Sequence, residues 1–224
     1  MKIRSPNKFK DTDSFRARWK EIDGKLDLDD EVESPGPLGS ALEKGGWSLS
    51  NRFAVQPMEG WDAHADGSPS EETFRRWRRF GESGAALIWG GEAFAVVEDG
   101  RANPNQLFHR DSDRSCRTLE SLRQAITAGH DAIGNEAPTA SVVGLQLTHS
   151  GRWSRPTTAG PSPKIAFQHP ILDERVSATA EQLLDDGELE SIAERYIEAA
   201  VCAQKAGFDF VDIKACHGYL LHEL

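Results

Sequence analysis

The succession of apolar runs along this 224-residue chain predicts an α/β fold, an incomplete (β/α)8 barrel of about four βα units behind an N-terminal extension. Two observations carry this prediction: short apolar strands alternate with helical stripes, and the later strands are apolar on one face and polar on the other. Alternation implies parallel strands joined by crossover helices, in a barrel or in a doubly wound sheet. Strand parity separates the two. In Ser141 to Thr148, Val143, Leu145 and Leu147 share one face, and Gly144, Gln146 and Thr148 the other. In Phe210 to Lys214, Val211 and Ile213 oppose Phe210, Asp212 and Lys214. A sheet with helices on both faces is apolar on both, whereas a barrel tolerates polar groups near its C-terminal mouth. The pattern favours a barrel.

Residues 1–36 form the charged extension, with a short helix around Phe15 to Ile22 and an acidic run from Asp27 to Glu33. The barrel portion, 37–224, starts after Pro35-Gly36-Pro37, and Trp47 to Phe53 suggests a hairpin leading into a first strand, Phe53 to Pro57. Ser68 is placed as the N-cap of a helix with Pro69 in its first turn and Glu71 closing a capping box; Phe74, Trp77 and Phe80 form its stripe, and Gly81 to Gly84 its stop. A second strand, Ala85 to Trp89, ends in Gly90-Gly91-Glu92. A helix from Ser112 to Ala128 stops at Gly129, and the third strand follows. The segment from Ser150 to about Asp186 is rich in Pro, Ser and Thr; it is expected to be a functional loop with a small hairpin near Ile171 to Val176. A helix from Glu188 to Ala206 precedes the fourth strand. A whole barrel takes about 250 residues, so the chain is expected to be the N-terminal part of a longer protein, inactive by itself and prone to associate through open strand edges.

A net charge of −10 argues against nucleic acid or an anionic membrane as partner, since phosphate binding needs clustered Lys and Arg. The polar start MKIRSPNKFK has no apolar core of a secretory signal, and no run approaches membrane-spanning length. Cys116, Cys202 and Cys216 form no CxxC pair, and an odd count is a poor disulfide framework, so a reducing cytoplasm is the expected location. A small molecule is the expected partner, with assembly into homo-oligomers left open.

The chemistry gathers at strand ends. Gly90-Gly91-Glu92 either lets backbone approach a planar ligand or is a tight βα turn. Gln146 offers a donor and an acceptor to a ring amide, unless backbone satisfies it. His149 opens a loop, where a structural role is the commoner one. His64, His109, His130, His169 and His222 show no HxH or HExxH spacing, so no metal is expected. There is no GxSxG, Walker or GxGxxG motif. The sharpest group is Lys214, His217 and Tyr219: a cation for developing negative charge, a hydrogen-bonding imidazole and a phenolic acid. Asp212 on the same face is an alternative partner for Lys214.

These residues resemble a family. Asn51-Arg-Phe-Ala-Val-Gln-Pro57-Met58, the Leu87-Ile-Trp-Gly-Gly-Glu strand end, Gly100-Arg101 with Pro104-Asn105, Gln146-Leu-Thr-His149-Ser-Gly-Arg152 and His217-Gly-Tyr219-Leu-Leu are similar, in order and spacing, to the old yellow enzyme family of flavin-dependent ene-reductases, including its 2,4-dienoyl-CoA reductase branch. The resemblance implies an FMN-binding barrel that takes hydride from NADH or NADPH and delivers it to an activated alkene. It implies that Pro57, Met58, Glu59, Gly91 and Gln146 lie against the flavin, that His217 binds the substrate carbonyl and that Tyr219 donates the proton. Two positions depart from the pattern: Lys214 stands where the first carbonyl-binding His is usual, and Glu59 where Thr or Cys tunes the flavin. Two other readings stand beside this one. The chain could be a truncated barrel without FMN or turnover, or a metal- or imine-forming barrel enzyme with Lys214 as nucleophile.

Overall fold

A computed structural model describes residues 5–22, 24–25, 29–31, 33–134 and 141–224, with backbone alone at Pro6. Asp27, Leu28 and Val32 of the acidic run lie outside the described residues. The chain divides into two compact units, Met1–Gly36 and Pro37–Leu224.

In the first unit a helix, α1 (Thr12–Glu21), is capped by Asp11, whose carboxylate accepts from the Ser14 N–H at 2.7 Å. It starts earlier than the Phe15-to-Ile22 helix expected, because the cap residue sets the first turn. Phe9, Phe15 and Trp19 pack successively, with ring centroids 5.4 and 5.9 Å apart.

The second unit opens with an antiparallel hairpin, β1 (Leu42–Lys44) and β2 (Trp47–Leu49), turned at Gly45-Gly46. Four parallel strand lines then follow with helices between them. The first is β3 (Ala54–Val55). After α2 (Glu71–Glu82) comes the second, in two pieces, β4 (Leu87–Ile88) and β5 (Ala93–Ala95). After α3 (Ser112–Asp131) comes β6 (Val142–Thr148). The loop beyond β6 carries α4 (Pro170–Val176), and α5 (Asp186–Lys205) leads to β7 (Phe210–Ile213) and a last turn, α6 (Leu220–Glu223). The spatial order follows the chain: β3 pairs β4, β4 and β5 pair β6, and β6 pairs β7, all parallel. Among the described residues β3 and β7 each pair with one strand only.

The second strand line is broken by a bulge. Ile88 lies opposite Val143 and Ala93 opposite Gln146, so five steps on one strand match three on the other. The two extra residues are Gly90 and Gly91, with φ of +152° and +24°, values that side chains rarely adopt.

Strand parity places the core. Val143, Leu145 and Leu147 are fully buried with Trp77, Leu119, Leu122, Ile126 and Ala199, on the helix-covered side. The opposite side carries Gly144, against which the Phe210 ring lies, and Phe210 packs on Trp47 and Trp89 at 5.4 and 5.3 Å. Helices α2 and α3 approach so closely that a Cβ on Gly81 would strike the Ile126 carbonyl, and one on Gly129 the Arg78 carbonyl. Both glycines, expected as helix stops, sit inside the helices because backbone has to meet backbone there.

Three further expectations are corrected. The α2 N-cap is Ser70, paired with Thr73, while Ser68 turns onto Asp66. The segment Pro170–Val176 is a helix rather than a hairpin: Pro170 presets its first turn, His169 Nδ1 accepts from the Leu172 N–H at 3.3 Å, and Ser177 ends it in the left-handed region. Cys116 and Cys202 form a disulfide between α3 and α5 across 86 residues, leaving Cys216 as an exposed free thiol. No sequence spacing signals that pair, because helix packing alone brings the two sulfurs together, and the cytoplasmic expectation loses its cysteine support. No helix among the described residues is long and apolar enough to cross a membrane.

The disulfide yields a prediction. Thiol counting without reductant should find one reactive cysteine, and reduction should lower the unfolding free energy by about 2–4 kcal/mol. Three reactive thiols in the native protein would contradict the bond.

Candidate active site at the strand C-termini

The segment after β3 is pinned from three sides. Val55 O accepts from Trp89 N at 2.8 Å and Met58 O from Ala93 N at 3.1 Å, so the path of Pro57 to Glu59 follows the bulged strand beside it. Gly60 N donates to Glu92 Oε1 at 2.6 Å. Glu92 is completely buried and its Oε2 accepts from Arg76 at 2.6 Å; Arg76 in turn holds Asp62 through two bonds of 2.8 Å. Burial pushes the Glu92 carboxyl up, against the pull of Arg76 and the Gly60 N–H. Arg76 is held protonated by Asp62 and Glu92 despite burial. The cluster is therefore an ion-paired anchor buried under the turn.

Above that anchor, Glu59 Oε1 accepts from Lys214 Nζ at 2.7 Å and from the Tyr219 hydroxyl at 2.6 Å. Lys214 also sits over the Tyr219 ring, 4.2 Å from its centroid. Burial, then the Glu59 carboxylate, raises the Tyr219 hydroxyl well above its ordinary value, so the phenol stays protonated. Lys214 is thus paired with Glu59. Asp212, the alternative partner, accepts instead from Gln146 Nε2 at 2.6 Å. Lys214 lies one residue beyond β7, its N–H on Leu147 O, and this puts the ammonium level with the β3 turn.

The other expected residues fall into place around this cluster. Met58 is exposed. The bulge glycine that lies on Pro57 and Gln146 is Gly90, where a Cβ would come within 2.9 and 3.1 Å of their Cβ atoms; Gly91 packs on Trp77. The two-residue bulge turns Gly91 toward the helices and leaves Gly90 against Pro57 and Gln146. His217 is exposed with φ +62°, and its Nδ1 lies 2.9 Å from Cys216 Sγ. A non-glycine residue in that region is held there by its surroundings.

His149 is buried; burial lowers it to about 4, so the ring is neutral, and its Nδ1 accepts from Gly151 N at 3.0 Å. Arg152 is fully buried and ties the loop to α6, bonding Glu223 at 2.5 Å, Phe167 O at 2.8 Å and Asp173. Arg101 gathers the Ala65, Pro104 and Pro156 carbonyls at 2.7–3.0 Å. Asn51 ties the entries of two strands, donating to Gly84 O and accepting from Ala86 N. These residues of the sequence motifs hold loops in place; the Arg76–Glu92 anchor gave no sequence signal beyond a carboxylate after two glycines. Among the described residues no three His, Cys, Asp or Glu side chains gather as a metal site.

The family model for NADH:flavin oxidoreductases and NADH oxidases matches residues 41–224. The chain belongs to this family. Among curated relatives it is 31% identical over 179 residues to an NADPH dehydrogenase of Bacillus subtilis, covering 79% of this chain and 47% of that one. It is 27% identical over 185 residues to an NADPH dehydrogenase of Geobacillus thermodenitrificans, covering 80% and 47%. It is 31% identical over 180 residues to the NADH:acrylate oxidoreductase of Vibrio harveyi, covering 80% and 16%. Similar solved structures include the Old Yellow Enzyme from a Pichia species (TM-score 0.62, 21% identity, 83% of this chain and 47% of that one) and its homologue from Zymomonas mobilis (0.60, 24%, 82% and 49%). The chain spans about half the length of these NADPH dehydrogenases and solved structures. The fold is that of the first four βα units of a (β/α)8 barrel, and membership implies FMN with NADH or NADPH as hydride donor.

The residues present fit a flavin. Gly90 packs so tightly on Pro57 and Gln146 that a Cβ has no room, so the strand end passes between them as bare backbone. With its Nε2 given to Asp212, Gln146 keeps Oε1 to accept from a ring N–H.

Two predictions test this scaffold. Replacing Arg76 with Met leaves Glu92 buried without its cation and should cost about 3–5 kcal/mol of stability, read by urea unfolding. His149 titrates below its ordinary 6.5 in the folded state, so the folded protein binds fewer protons there than the unfolded chain. Its contribution, roughly 3 kcal/mol, is complete above 6.5 and drains as pH falls toward about 4. His149→Gln should flatten the loss of unfolding free energy over that window; an unchanged slope would contradict the buried neutral ring.

Proposed function

We propose that this protein is part of an FMN-dependent NAD(P)H oxidoreductase acting on activated alkenes. Bound FMN would supply the hydride relay between the nicotinamide donor and the alkene β-carbon. Within this reading Pro57, Met58, Glu59 and the Gly90-Gly91 bulge form the cradle, and Gln146 accepts a hydrogen bond from the ring. Tyr219 gives its proton to the alkene α-carbon. Lys214, with two N–H groups beyond the one given to Glu59, offers positive charge to the oxygen on which enolate charge develops. His217 serves as the second donor to that oxygen from the rim.

The observation that carries the proposal is the Tyr219 hydroxyl, kept protonated by burial and by Glu59 at the C-terminal end of β7, where a (β/α)8 barrel works. A relative named for acrylate reduction supports an alkene conjugated to a carbonyl group as acceptor. The structure disfavours the imine-forming reading, since an ammonium paired at 2.7 Å with a carboxylate is a poor nucleophile.

The protein purified from its full reading frame should be yellow, and NADH or NADPH should bleach it. Tyr219→Phe should slow alkene reduction by about a hundredfold and leave bleaching intact. A colourless protein sinks the proposal, and unchanged alkene turnover removes Tyr219 from its role.

A further inference from the structure

Glu59 and Lys214 are the two positions that depart from the family pattern, and the structure joins them. One oxygen, Glu59 Oε1, accepts from both the Lys214 ammonium and the Tyr219 hydroxyl, at 2.7 and 2.6 Å. Both side chains of the ion pair are largely buried, 10% exposed for Lys214 and 14% for Glu59. The neighbouring carboxylate, Asp212, is occupied by Gln146 and does not compete for the ammonium. A phenol that has given up its proton here shares a carboxylate oxygen with the Lys214 ammonium.

We propose that Glu59 relays a proton from Lys214 to Tyr219 between turnovers, so that Lys214 is the reservoir that restores the acid. The inference rests on Tyr219 being the acid of the proposed reaction. In balance, the Tyr219 O–H bond breaks as the substrate C–H bond forms, leaving a phenolate. A Lys214 N–H proton passes to Glu59 Oε1, and the proton on Glu59 passes to the phenolate. Tyr219 is then a phenol, Glu59 a carboxylate and Lys214 a neutral amine, which takes a proton from water through its exposed fraction. No electrons change hands in these steps. The ammonium over the Tyr219 ring also steadies the phenolate while it lasts.

Two variants separate a relay from a mere ion pair. Glu59→Gln keeps the shape and removes the carboxylate. Lys214→Arg keeps the charge and the hydrogen bond, but a guanidinium does not give up a proton. In both, whatever the change does to the first turnover itself, later turnovers should be slower than the first, because Tyr219 starts protonated and is then not restored. Steady-state turnover should fall about tenfold or more and recover with small buffer acids. Full steady-state turnover in Lys214→Arg overturns the relay. A slowed first turnover without buffer rescue assigns the pair to positioning and also overturns it. Tyr219→Phe, slow from the first turnover, serves as the control, and its unchanged first turnover would indict the acid assignment instead.

A second measurement needs neither substrate nor flavin. The chain has two tyrosines, Tyr196 and Tyr219, so phenolate absorbance against pH reports both, and Tyr219→Phe assigns them. Glu59→Gln should move the Tyr219 transition to lower pH. A transition that does not move shows that Glu59 and Tyr219 are not in contact in solution, and the proposal fails.

Discussion

The mouth of this half-barrel depends on one buried carboxylate. Glu92 is out of contact with water, and an ionised group in that position is stable only with its lone pairs filled. The Gly60 N–H and the Arg76 guanidinium fill them, and Asp62 and Thr73 complete the cluster. Three elements are thereby coupled: helix α2, which supplies Arg76; the bulged second strand, which supplies Glu92; and the turn after β3, which supplies Gly60. The bulge serves this coupling, because its two extra residues change the path of the strand just before Glu92.

Above the anchor, electrostatics links positions far apart in the chain. A carboxylate at Glu59 alone would oppose negative charge on a neighbouring flavin or substrate, and a lone ammonium at Lys214 would be costly to hold in a largely buried place. Together they form a near-neutral pair with a phenol on the same oxygen. Two positions that the sequence singles out separately are thus joined in one contact across 155 residues. Such a pair would keep the positive charge the chemistry needs while adding a proton store that a neutral imidazole pair lacks.

Outside the mouth, buried arginines do the holding. Arg101 collects carbonyls from several loops, and Arg152 fastens the long loop after β6 to α6. A guanidinium suits this task because its planar fork of donors satisfies several backbone oxygens at once. These contacts explain how a long segment rich in Pro and Ser is held over a barrel rim while carrying little regular structure.

Strand alternation, strand parity and the motif order follow from the sequence alone, because each is a local pattern: apolar residues two apart in β6 and β7, helical stripes between them, and titratable groups just past Ile213. So do the identities of Lys214 and Gln146 as inward-facing groups, since parity along a strand fixes the side each residue takes. The tertiary structure alone decided the partners. That Lys214 pairs with Glu59 rather than Asp212, that Gly90 rather than Gly91 lies on Pro57, that Gly81 and Gly129 sit within helices, and that Cys116 meets Cys202 all depend on register and helix packing between segments distant in the chain. Hydrogen bonds and ion pairs act over a few ångströms, and a difference of one strand position is enough to change which groups they join.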